Sequence, residues 1–169
     1  MDTMNPILSR KSIRKFTSKT VSDPVIDDLL KAAMSAPSAG NEQPWHFIII
    51  GDSQILEKIP EANQGARMAK DASAVIVVYA DLLLGKMKGC WILDCSAATR
   101  NIFIAVQAKG LGEVWSTIYP LEERVSGIQR LLDIPNHVMP LVLIPTGYPA
   151  EKNPEQIDTM NPGFTVIGW

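Results

Sequence analysis

The sequence predicts a single domain in which helices cover both faces of a β-sheet, and three observations carry that expectation. The chain has 169 residues, the size of one domain. Residues 45–50 (WHFIII), 74–80 (AVIVVYA) and 139–147 (MPLVLIPTG) are apolar nearly throughout, the pattern of strands buried on both faces. Between these runs, apolar residues recur at helical spacing. A composition of 46% hydrophobic and 20% charged residues supports a core large enough to offset the entropy of ordering the chain.

Asn5 and Pro6 fit the cap and first position of a short helix running through Ile7, Leu8 and Arg10. A second helix is capped by Ser22 or Asp23, takes Pro24 at its first position, and repeats Val25, Ile26, Leu29, Leu30, Ala33 and Met34 before Pro37 stops it. Residues 37–44 (PSAGNEQP) form a polar turn leading into the first strand. Short helices through Ile55, Leu56 and Ile59 and across residues 64–72 precede the second strand. A linker, residues 81–89, leads to a long helix over about residues 91–109, which Gly110 and Gly112 terminate. Residues 113–119 (EVWSTIY) form a third extended segment, residues 121–132 a helix, and residues 139–147 a fourth strand. From Tyr148 the chain turns proline-rich, so residues 1–150 are assigned to the domain and residues 151–169 to an arm that packs on a partner subunit.

A net charge of −2 and a pI near 5.7 provide no field for nucleic acid. No segment reaches the roughly 20 apolar residues that span a bilayer, no apolar leader follows the first charges, and Cys90 and Cys95 are too few for a disulfide framework or a thiolate metal site. These features predict a cytoplasmic protein.

Arg10 and Arg14 stand four apart, with Lys11 and Ser12 between them, so two guanidiniums and a hydroxyl can converge on a phosphate; a solvated basic turn is the alternative. Ser38, Asn41 and Gln43 offer neutral donors and acceptors beside a strand, suited to a polyol or a ring edge, although ordinary loop chemistry also uses them. In residues 110–117 (GLGEVWST), glycines and Trp115 make a surface against which a flat cofactor can lie; helix termination explains the glycines equally well. His46 and His137 have no ligand set and read as packing residues, Asp27 and Asp28 as solubility residues, and a buried Asp94 requires a donor. No catalytic side chain and no metal ligand is assigned.

Together, residues 10–16 (RKSIRKF), 37–47 (PSAGNEQPWHF) and 110–115 (GLGEVW) resemble the FMN-dependent nitroreductase family, in its small single-domain form. The resemblance implies an α+β, three-layer sandwich with a mixed, mainly antiparallel central sheet, and a homodimer with FMN at the interface. It implies that Arg10, Lys11, Ser12 and Arg14 hold the phosphate and ribityl end, that Pro37, Ser38, Ala39 and Asn41 reach the FMN of the partner, that Trp115, Ser116 and Thr117 line the ring, and that Gln64 meets its pyrimidine edge. The implied reaction is ping-pong electron transfer from NAD(P)H to a small oxidising substrate such as a nitroaromatic or quinone. The same scaffold also suits dehalogenation or enoyl reduction, or FMN binding without catalysis. The short linker at residues 82–89 implies an open pocket, and Lys152 is the single basic residue in the stretch where small relatives carry a phosphate-binding cluster.

Overall fold

The computed structural model describes residues 4–84 and 86–151. Five helices, α1 (Met4–Ser9), α2 (Asp23–Met34), α3 (Ser53–Ala62), α4 (Cys90–Ala108) and α5 (Glu122–Leu132), surround strands β1 (Trp45–Ile50), β2 (Ala74–Asp81), β3 (Gly112–Glu113), β4 (Ser116–Thr117) and β5 (Val138–Gly147). Strand order is β1-β2-β5-β3, with β4 also on β5, and every pairing of named strands is antiparallel. Among the described residues, one parallel bridge, Ser12 to Glu113, makes the sheet mixed.

The period-two alternation of β2 builds three layers. Ala74, Ile76, Val78 and Ala80 pack with Leu29 and Ala33 of α2 and with Ala98, Ile102 and Val106 of α4. Val75 and Val77 face the opposite way, with Leu143, toward Leu56 and Ile59 of α3 and Ile128 of α5. Both faces of β2 and β5 are thereby dry, as their unbroken apolar sequences require.

Local chemistry moves several boundaries from their sequence-based positions. The first helix starts at Met4 and ends at Ser9, so Asn5 lies inside it rather than capping it. The second begins at Asp23, which puts Pro24 at its second position, and Ser22 makes no side-chain capping bond. The helix expected across residues 64–72 spans Gln64–Asp71 and winds as a 3₁₀ helix. The long helix is shifted by one residue at each end, and Gly110, with φ 69°, supplies the left-handed turn beyond it.

The extended segment 113–119 resolves into two short strands sharing one register against β5, with Gly112 opposite Gly147 and Thr117 opposite Val142. Continuing that register places Val114 opposite Pro145. Because Ile118 N–H donates to the Leu141 carbonyl, alternation puts Val114 and Pro145 in the hydrogen-bonded phase, where proline has no N–H to donate. The strand is interrupted there without slipping.

His46 is exposed and stacks on Tyr79 at 5.4 Å, while His137 is exposed and packs on neither core cluster, contrary to the packing role expected of it. Asp28 also departs from its solubility reading: Lys109 donates to it and holds its carboxyl below the usual range. Lys152 and all of the expected arm beyond Glu151 lie outside the described residues. No described helix is long and apolar enough to cross a membrane.

Candidate functional site

The loop that leaves α1 runs directly along β3. Ile13 N–H donates to the Glu113 carbonyl at 2.8 Å. Gly112 permits this approach, since a Cβ there would stand 2.6 Å from Ile13 Cβ. One backbone contact thus brings two separated sequence blocks together, setting Arg10, Lys11, Ser12 and Arg14 beside residues 112–117.

Arg10 Nη1 lies 3.3 Å from Glu113 Oε1, and its guanidinium sits 5.7 Å from the centre of the Phe103 ring. Phe103 meets Trp115 edge to face at 5.9 Å. Trp115 remains 37% exposed, and its Nε1–H donates to Thr117 Oγ1 at 3.1 Å, which fixes the indole over β4. Lys11 and Ser12 are half-buried and Arg14 is exposed. Arg14 offers its backbone N–H to Glu151 Oε1 at 2.9 Å, leaving the guanidinium outside that bond.

Glu113 was not singled out in the sequence, although an acid opening the extended segment 113–119 was the available signal. It is 1% exposed, and its Oε2 has no hydrogen-bond partner among the described residues. Burial pushes its carboxyl up to about 7, against the opposing pull of Arg10 and Arg100. Ser116 Oγ is also buried without a partner.

The Thr117 carbonyl accepts from Asn63 Nδ2 at 3.1 Å and from Arg124 Nη1 at 2.8 Å. Asn63 is buried and also accepts from Gly65 N–H, so it is the amide that ties the 3₁₀ segment to β4. Its neighbour Gln64 is exposed and lines a polar cleft with Glu61, Glu123 and Arg130.

Pro37, Ser38, Ala39 and Asn41 are held elsewhere. Residues Ala39–Asn41 form a 3₁₀ turn whose Ala39 N–H donates to Asp94 Oδ1 at 2.9 Å, meeting the requirement that a buried Asp94 have a donor. Ser38 Oγ accepts from Gln43 N–H at 3.0 Å, and Asn41 adopts the left-handed φ of 56°. Asp94 and Phe103 are nine residues apart on α4, or about 14 Å along a helix axis. Within one chain, the 37–41 turn and the Arg10 loop therefore sit against different stretches of α4.

The Nitroreductase family model matches residues 7–91, half of the chain, and so spans both the basic loop and the 37–41 turn. The chain belongs to the nitroreductase family. It is 49% identical, over 96% of its length and 84% of the relative's, to a candidate NADH dehydrogenase/NAD(P)H nitroreductase of Methanothermobacter thermautotrophicus. A crystal structure of a protein of the same description from Parabacteroides distasonis superposes with a TM-score of 0.93 at 38% identity, covering 100% of this chain and 99% of that one. An FMN-dependent nitroreductase of Clostridium difficile superposes with a TM-score of 0.89 at 25% identity, covering 98% and 99%. The protein is an enzyme of this FMN-dependent family in its small single-domain form, with the α+β three-layer sandwich that the sequence blocks implied.

The donor set fits that cofactor. Among the described residues, Lys11 and Arg14 have no ion pair and the Ser12 hydroxyl has no hydrogen bond, so two cations and a neutral donor are available to a phosphate and its polyol. The exposed indole of Trp115 beside an interrupted strand suits a planar ring.

Proposed function

We propose that this member of the family passes electrons from NAD(P)H to a small acceptor such as a nitroaromatic or quinone by a ping-pong course, as a cytoplasmic homodimer. The observation that carries the reading is the contact of Ile13 with Glu113, which joins a loop of phosphate-type donors to the exposed face of Trp115. In this reading Arg10, Lys11, Ser12 and Arg14 hold the phosphate and ribityl end. Trp115, Ser116 and Thr117 line the ring, and Gln64 addresses its pyrimidine edge. FMN, when bound, supplies the two-electron chemistry. The chain contributes position: the Trp115–Thr117 bond and the doubly bonded Thr117 carbonyl keep the ring-lining strand rigid, which favours a fixed reacting geometry.

The separation of the 37–41 turn from the Arg10 loop supports a contribution of Pro37, Ser38, Ala39 and Asn41 to the partner's cofactor. A second observation agrees: Leu93 is 71% exposed on α4, on a face it shares with half-buried Ala97, Arg100 and Ile104, and so large an exposed apolar side chain suits a contact with a second copy.

Reductive dehalogenation is the second reading, favoured by 30% identity to rat iodotyrosine deiodinase 1 over 83% of this chain and 60% of that protein. The test is anaerobic visible absorbance of the FMN-loaded protein. Bleaching by NADH or NADPH that a nitroaromatic or quinone reverses supports the proposal, whereas reversal only by a halogenated phenol selects the second reading. FMN that binds and is not reduced by either nicotinamide overturns both in favour of another donor or a non-catalytic flavin protein.

A further inference from the structure

Arg10 faces two claims on its guanidinium. In the structure it is held by Glu113, while the proposed function assigns it to a phosphate. We propose that Glu113 is a proton-linked counter-ion of Arg10, which holds the guanidinium while the site is open and takes up one proton when a phosphate monoester binds there.

The geometry favours the exchange. Glu113 is 1% exposed, so no bulk water solvates its charge, and Oε2 is buried without a partner. The cations facing it are Arg10, at 3.3 Å from the loop, and Arg100 from α4. Phe103 of α4 contributes an apolar ring to the Arg10 side of the pair. On β5 the residue opposite is Thr146, whose hydroxyl is committed to the Ile144 carbonyl at 3.1 Å. Lys11 and Arg14 form no ion pair with Glu113.

A phosphate that takes the donors of Arg10 removes the nearest stabilising cation and adds a second anion beside the carboxylate. Both changes favour the protonated acid. A proton from solvent moves to Glu113 on binding and returns to solvent on release, with no electron transferred. Burial has already brought Glu113 up to about 7 before a phosphate arrives, so uptake begins above that pH and approaches one proton where the complex titrates well above the free protein.

The sign follows from linkage. Below pH 7 Glu113 is largely protonated with or without ligand, and affinity is insensitive to its titration. Above pH 7 it is ionised in the free protein and protonated in the complex, so affinity falls by up to about tenfold per pH unit until the complex itself titrates. The phosphate's own second ionisation, near pH 6 by analogy with phosphoserine, lies below this window.

This inference rests on Arg10 as phosphate anchor, and the experiment separates the two. FMN binding to apoprotein is followed by quenching of flavin fluorescence from about pH 7 to about pH 9, with the proton count taken by calorimetry in buffers of different ionisation enthalpy. Wild type is expected to lose affinity with rising pH and to take up close to one proton, whereas Glu113→Gln loses both the slope and the uptake. Riboflavin, lacking phosphate, should bind wild type without proton uptake, a comparison that needs no variant to fold. Glu113→Gln with the wild-type slope and proton count, or equal uptake with riboflavin, overturns the inference. Arg10→Gln binding FMN as wild type does at every pH overturns the anchor assignment itself.

Discussion

The backbone N–H of Ala39 donates to the Asp94 carboxylate at 2.9 Å, fastening the 39–41 turn to the first turns of α4. Asp94→Ala leaves a partly buried N–H without its acceptor, and we expect a loss of about 1–3 kcal/mol. Asp94→Asn, which retains an acceptor oxygen, recovers most of it. Urea denaturation measures the stability, and FMN titration should show weaker binding in the Ala variant if this turn reaches the cofactor.

Gly112 and Ile13 make the closest approach between the basic loop and the sheet. Gly112→Ala places a Cβ 2.6 Å from Ile13 Cβ, and pushing the loop off β3 should cost about 1–3 kcal/mol and weaken FMN binding. Gly51→Ala, with nothing within 4 Å of its new Cβ, is the control and should stay within about 0.5 kcal/mol of wild type. Equal effects of the two substitutions would contradict the steric account.

Glu113 also makes stability pH-dependent. Its folded pKa of about 7 lies above its ordinary value of 4.5, so across that interval the folded apoprotein retains a proton that the unfolded chain has released. The contribution is fully present below pH 4.5 and is lost as pH rises through about 7, by on the order of 3 kcal/mol. Denaturation of wild type and Glu113→Gln at matched protein concentration should show the gap shifting in favour of Gln across this window. A constant gap would refute the assignment.

Cys95 lies in the core against α2 and β2, and burial, aided by the charge of Asp94, pushes its thiol up to about 12. Iodoacetamide at about pH 8 should leave it unmodified in the native protein and label it after denaturation, as read by peptide mass spectrometry. Prompt native labelling would show that this core opens.

Leu93 tests the assembly. Leu93→Glu replaces the exposed leucine of α4 with a charge, and sedimentation should shift from dimer toward monomer with loss of bound FMN. A variant that remains dimeric and retains FMN would place the interface elsewhere.

The sequence by itself determined the layers, because unbroken apolar runs such as residues 74–80 are stable only with both faces covered, and helical spacing placed the covering elements within a residue or two. The three sequence blocks also carried the family, since their order and separation survive in the linear chain. Contacts distant in sequence decided the rest. The break at Val114 depends on Pro145 across the sheet, and the state of Glu113 on Arg10, Arg100 and the loss of water around it. Asn63, rather than its neighbour Gln64, reaches β4 because the chain turns at that residue. Periodicity reports which face of an element is dry, whereas pKa and hydrogen-bond partners depend on what the fold brings to that face; only the tertiary structure decided those.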